Sequence, residues 1–289
     1  MTLTDRSIRD FIMEDAITNS FVPADMAKRA EASAVRKANR DFLSAFFLAV
    51  QAGCFIAFGA AFFTCTIQNS MLGVGLTKLI GGMTFSLGLI LVIIGGADLF
   101  TGDTLMVMGW LSRKIKMRQM LRSWLFVFIG NLVGGLAIVM LVHLSGHWTS
   151  GSGAVGAKAL AIANAKVNLT FVEAFSSGML CNGLVCLAIW LCHACRSVTD
   201  KILAILFPIT AFVAMGFEHS VANMYFIPAG LLLKTNPKIV ALLNEADLSN
   251  LTVSGFVFSN LVPVVIGNMV GGAIFVGAVY WILYLRKPH

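Results

Sequence analysis

The side chains best placed to do chemistry are gathered in Gly216-Phe217-Glu218-His219-Ser220-Val221-Ala222-Asn223, inside a run from Ile202 to Leu233 that is otherwise apolar. Ionisable groups at bilayer depth are costly and mark ion pathways or proton relays. With an ordinary pKa of ~6.5, His219 is the side chain best suited to exchange protons near neutrality. Out of water its imidazole is held neutral unless an anion arrives. The plainer reading is a buried histidine that only satisfies its neighbours. A second polar cluster, Gly95-Gly96-Ala97-Asp98-Leu99-Phe100-Thr101-Gly102-Asp103, supplies Thr101, which could hydrogen-bond one ring nitrogen and fix its tautomer. Asp98 and Glu218 each precede resumed helix, where a carboxylate caps freed N–H groups and faces the positive end of the dipole. Lys166 is either an attractor of anions or a solvated loop lysine, and Asn182 is a polar group within a span. Phe85 and Phe212 are either a hydrophobic constriction or packing.

Other chemistry has less support. Cys192-His193-Ala194-Cys195 has half the spacing of a metal site and no second pair of ligands, so no metal is expected. The remaining cysteines sit in apolar stretches as small hydrophobes, and no disulfide framework is expected. No nucleophile converges with His219 and a carboxylate, which argues against an intramembrane enzyme and leaves no cofactor implied.

Those residues need elements able to hold them in a membrane. Hydrophobic residues make up 58% of the 289-residue chain and charged ones 12%, with a mean hydropathy of +0.85. Residues 42–77, 79–97, 123–157, 174–195, 202–217 and 248–285 carry no charge. Each crosses or nearly crosses a ~30 Å hydrocarbon core as a helix. The expected fold is an all-α membrane protein with six transmembrane helices. Sixteen of the 21 lysines and arginines fall in the N-terminal segment, Arg113 to Arg122, Arg196 to Lys201 and the C-terminus. That bias places both termini in the cytoplasm. Basic loops beside an anionic leaflet account for the +7 net charge, so no nucleic acid is implied.

Residues 1–41 read as a cytoplasmic segment without a removable signal peptide, bearing an amphipathic helix from Pro23 with Met26, Ala30, Ala34 and Ala38 on one face. Within the spans, Ile129-Gly130-Asn131-Leu132-Val133-Gly134-Gly135 recurs 137 residues later as Ile266-Gly267-Asn268-Met269-Val270-Gly271-Gly272. Three spans separate the copies, so the halves face opposite ways. The organisation is then 42–143 as the first inverted repeat, 144–169 as an external loop, 170–286 as the second repeat and 287–289 as a cytoplasmic tail. The repeat pairs a broken span two with a broken span five, matching Asp98 to Glu218 and Thr101 to Ser220. It also sets Ser177-Gly178 against Ala52-Gly53. Paired glycine-interrupted spans point to a site at the midplane.

At Gly95 to Thr101, Lys166, Asn182, Gly216 to Asn223 and the two Gly-Asn repeats, the chain resembles the formate/nitrite transporter family over about Pro23 to Arg286. The resemblance implies an aquaporin-like protomer in a homopentamer in the bacterial cytoplasmic (inner) membrane, each with its own pore for small monovalent anions. It implies an outer slit of Phe85 and Phe212 and an inner one of Leu89, Leu99 and Val185. Thr101 and His219 would lie between or beside the slits, with Asn182 a further polar contact and Lys166 an attractor. Asn131 and Asn268 would brace the breaks. Phe-Glu-His-Ser and Asn-Met-Tyr-Phe-Ile-Pro look like the formate branch, with nitrite and hydrosulfide as alternatives; formate, protons and membrane lipid are the implied partners. The expected mechanism has the anion lose water at the slit and take a proton from or through His219; passage as the anion, with His219 donating only a hydrogen bond, is the alternative. An aquaporin-like neutral-solute channel would explain the fold but not the histidine.

Overall fold

The computed structural model describes residues 20–243 and 246–286. The expectations for residues 1–19 and the 287–289 tail lie outside the described residues. Helix α1, Pro23–Ala38, starts with proline in its first turn and Asp25 beside it, and ends on Arg36 and Lys37, charges that complement its dipole. It buries Met26, Ala30, Ala34 and Ala38, the expected face. Helix α2, Phe42–Ile67, is capped by Asp41, whose carboxylate accepts from the Ser44 amide at 2.9 Å.

Span two is α3, Val74–Gly95, followed after a break by α4, two short helices, Phe100–Asp103 and Val107–Leu111, joined by a 3-10 turn. Then come α5, Met117–Leu144, α6, Ala154–Val167, and α7, Phe171–Ala194. Span five is α8, Val198–Met215, and after its own break α9, Ser220–Leu233. The last is α10, Gly255–Tyr284, with π-helical turns. Among the described residues six helices (α2, α3, α5, α7, α8 and α10) are long and apolar enough to cross a membrane, and no residue is in a strand. Phe207 and Phe258 are 74% and 70% exposed, which makes sense only against lipid or another subunit.

One expectation needs correcting. Most of the region read as an external loop, 144–169, is α6. Past the Ser-Gly turns its sequence is alanine-rich, which favours helix, and it buries Ala159, Leu160, Ala163 and Val167 against the bundle.

The repeated glycines set how closely the halves' helices approach. A Cβ on Gly134 of α5 would stand 2.0 Å from the Val50 carbonyl oxygen of α2, and one on Gly271 of α10 would stand 2.0 Å from that of Met179 of α7. Backbones packed this tightly are the small-residue contact of membrane helices. They bring Asn131 and Asn268, one turn away, against the breaks.

Candidate functional site

Both breaks are built alike. Gly96 and Gly216 end α3 and α8 in the left-handed conformation, φ 77° and 76°, which a side chain would strain. The chain then runs extended before helix resumes. Asn131 Nδ2 donates to the Asp98 carbonyl at 3.0 Å and the Ala49 carbonyl at 2.7 Å, while its Oδ1 accepts from the Phe100 amide at 2.9 Å. Asn268 repeats the set with the carbonyls of Glu218, 3.0 Å, and Gly178, 2.7 Å, and the Ser220 amide, 3.0 Å. Buried backbone groups that helix geometry leaves open are thereby satisfied.

These bonds fix the register of the two halves and revise part of the sequence reading. Asp98 answers Glu218, as expected, but Phe100 answers Ser220, so Thr101 answers Val221 and His219 answers Leu99. Likewise Gly178 answers Ala49, not Gly53. Gly53 is answered by Asn182: a Cβ on Gly53 would stand 2.1 Å from the Asn131 carbonyl oxygen, and Asn182 Nδ2 donates to the Asn268 carbonyl at 2.6 Å. The hydroxyls resembled one another in type, whereas backbone bonding sets the alignment.

His219 is the N-cap of α9 and only 3% exposed. Its Nδ1 accepts from the Ala222 amide at 3.0 Å, which puts the ring hydrogen of a neutral imidazole on Nε2. Nε2 lies 3.0 Å from Thr101 Oγ1, the contact expected from the sequence. To hold a second proton the ring would have to give up the Ala222 bond at the positive end of α9.

The acids do not cap the half-helices, contrary to expectation. Glu218 accepts from Lys166 Nζ at 2.6 Å and from the side-chain amides of Asn223, 2.7 Å, and Asn260, 3.0 Å. Lys166, 14% exposed at its side chain, is therefore a paired cation. Asp98 is bound by Arg40 and, at 3.2 Å, by Lys37, which also binds Asp103. Burial alone would lower the Lys37 pKa, but Asp103 and Asp98 hold it raised. Asp98 and Glu218 thus serve as anchors, each bound to a cation and not to the backbone amides of the helix that follows.

Three cavities run in series past these residues. A vestibule of about 870 Å³ is lined by Lys166, Glu218, Phe85, Phe212 and His219 among others. A cavity of about 10 Å³, room for a single water, is enclosed by Phe85, Leu89, Leu99, Val185, Phe212 and His219 with Ile56 and Ile209. A chamber of about 360 Å³ beside α1 is lined by Leu99, Asp98 and Asp103. Phe85, Phe212 and His219 are shared by the first two, and Leu99 by the last two. All five expected constriction residues thus border this one small cavity, Phe85 and Phe212 on its vestibule side and Leu99 on its chamber side. Phe85 and Phe212 pack edge to face, centroids 5.7 Å apart.

Thr101 and Asn182 line none of these three cavities. Asn182, expected as a polar contact, spends its amide on the Thr101 carbonyl and Thr104 Oγ1, both 3.1 Å, and on Asn268. It stands behind Thr101 as support. Sequence reading missed Asn260, Lys37 and Arg40. Asn260, a second asparagine in apolar span six outside the repeat, was a usable signal; the cations looked like ordinary cytoplasmic charge. Cys192 and Cys195 turn their thiols to the carbonyls of Lys201 and Leu191.

Comparison with known proteins places this geometry. The family described as Formate/nitrite transporter matches residues 24–282. The formate channel FocA of Escherichia coli (strain K12) is 44% identical over 271 residues, 92% of this chain and 95% of that protein. The probable formate transporter of Methanothermobacter thermautotrophicus is 38% identical, covering 92% and 97%. Among solved structures, a pentameric formate channel with formate bound has a TM-score of 0.76 and 37% identity, covering 85% of this chain and 98% of that one.

Proposed function

This chain belongs to the formate/nitrite transporter family, and on that premise we propose that it is a multi-pass membrane conduit for formate, assembled as a homopentamer with a pore in each protomer. The resemblance to formate channels and the three cavities in series support the substrate and the route. Nitrite and hydrosulfide remain the related substrates to compare. The chain moves a solute and transforms none. The lysine and arginine bias sets both termini and α1 in the cytoplasm, making the Lys166 vestibule external.

The observation that carries the mechanism is the imidazole held between the Ala222 amide and Thr101. With Nδ1 committed as an acceptor, Nε2–H is the group left to meet an anion at the constriction. An anion squeezed into a cavity of about 10 Å³ sheds its water, and a donor aimed at it offsets part of a penalty of several kcal/mol. His219 therefore acts as a hydrogen-bond donor to formate, with Thr101 holding the ring in the resting state. Lys166 and Glu218 brace the external break, Phe85 and Phe212 form the outer slit, and Leu89, Leu99 and Val185 the inner one. Neutralising the ion with a proton that enters from water and is passed on through His219 is the second reading, favoured by the apolar lining alone.

Planar bilayers distinguish them. A formate gradient should drive a current whose reversal potential follows that gradient. Formate uptake into proteoliposomes that carries no current and acidifies the lumen would install the proton relay instead. His219→Ala removes a hydrogen bond to a charge, worth about 1.5–3 kcal/mol, so formate flux should fall roughly tenfold or more. Native mass spectrometry of the detergent-purified protein should give five times the 31.0 kDa protomer.

A further inference from the structure

The chamber beside α1 carries charge that the permeation path does not use. Arg29, Ser33 and Arg36 recur at helical spacing on one side of α1 and line it, with Lys37 and with Arg40, two residues past the helix end. Lys201 from the first turn of α8 and His193 from the last turn of α7 close the far side. The acids lining it are Asp98 and Asp103, and Lys37 and Arg40 take both. Among the described residues no salt bridge joins Arg36 or Lys201 to an acid. Arg29 lies over the Phe21 ring at 4.1 Å, a stacking that leaves the guanidinium edge able to donate. Five cations against two acids, counted among the described residues, leave an excess of three in about 360 Å³. The larger vestibule at the other end is lined, among the described residues, by Lys78, Lys158, Lys166 and Glu218, and by no arginine.

A monovalent carboxylate neither needs nor neutralises such an excess. Arginine forks match the oxygens of phosphate in pairs of hydrogen bonds, which ammonium groups do not. We propose that this chamber binds a polyvalent phosphate-type oxyanion and that the bound ion plugs the path at its α1 end. Leu99 lines both the chamber and the constriction, and a cavity of about 10 Å³ cannot pass such an ion. The plugging rests on the conduit reading above, whereas the binding does not.

The test separates the two. By titration calorimetry in neutral detergent at low salt, pyrophosphate should bind the purified protein. The Arg36→Gln/Lys201→Gln variant should bind at least tenfold more weakly, and Lys78→Gln/Lys158→Gln within twofold of wild type. Thermal melts confirm that each variant is folded, and Arg36→Lys/Lys201→Arg, which keeps both charges, should retain most of the affinity. In phosphatidylcholine proteoliposomes, pyrophosphate on both faces should slow formate flux in the wild type and not in Arg36→Gln/Lys201→Gln. Slow flux in vesicles containing phosphatidic acid, relieved by the same variant, would support a lipid headgroup as the source of the oxyanion. Absence of binding, or equal binding by Arg36→Gln/Lys201→Gln, overturns the site. Binding with undiminished formate flux overturns the plug, and no formate flux even without pyrophosphate overturns the conduit reading.

Discussion

Asn131 and Asn268 each place one amide between two carbonyls and one amide N–H of a broken span, all out of water. Asn268→Asp replaces the donor with a third oxygen facing the Gly178 and Glu218 carbonyls. A buried group left without its partner costs about 1–3 kcal/mol, and here two carbonyls lose theirs. Asn131→Asp and Asn268→Asp should therefore each destabilise the protein by about 3 kcal/mol or more, measured as a fall in thermal midpoint in detergent. His219 separates two duties at the same scale. His219→Asn should keep the cap on the Ala222 amide and hold stability within about 1 kcal/mol of wild type. His219→Leu, which copies Leu99 of the other half, loses that cap as well as the donor. Formate flux should drop in both variants; flux at wild-type rate in His219→Leu would remove the histidine from the mechanism.

Between elements, contact is decided by where a methyl group fits. Gly134→Ala and Gly271→Ala each put a Cβ 2.0 Å from a carbonyl oxygen of the neighbouring helix, and the backbone has to move. Overpacking of this kind costs typically 1–3 kcal/mol, and these two positions should lie at or above the upper end. Gly183→Ala, on α7 with nothing within 4 Å, should be neutral or stabilising by up to about 1 kcal/mol because alanine favours helix. Thermal unfolding of the three variants checks the ranking. The same glycines, with Asn131 and Asn268, made the repeat legible in the sequence, and charge-free runs made the six spans legible. The register of the breaks was not legible. Thr101 and Ser220 matched as hydroxyls, while the Phe100 and Ser220 amides match as bonds. Helix α6 was hidden because Ser-Gly turns at its start set the tone of the whole segment. The partners of Asp98 and Glu218 were hidden for another reason: Arg40 and Lys166 lie 58 and 52 residues away in the chain. At that separation a cation is indistinguishable from any other loop charge.

Across the whole molecule, each break is tied to a cation from outside the six long helices: Glu218 to Lys166 at the end of α6, and Asp98 to Lys37 and Arg40 at the end of α1. The second tie fastens α1 over the chamber mouth. Asp98→Asn should therefore loosen α1 while leaving the membrane bundle standing. Removing one partner of a buried pair costs about 3–5 kcal/mol, but Lys37 and Arg40 are 23% and 26% exposed and can turn to water. A loss of about 1–2 kcal/mol in local protection is then the expectation, or roughly tenfold faster amide exchange across Pro23–Ala38. Glu218→Gln, at the opposite tie, should leave α1 exchange unchanged. The pH response follows from Lys37, whose pKa is raised by Asp103 and Asp98 against the pull of burial. Stability from a cation with a raised pKa is complete below its ordinary value, about 10.4, and is lost only as pH climbs through the raised one. Alkalinisation from pH 7 to about 9.5 should thus leave the protection of α1 intact once exchange is corrected for its intrinsic pH dependence. Protection that fades over that range would mean that Lys37 does not hold α1 in place.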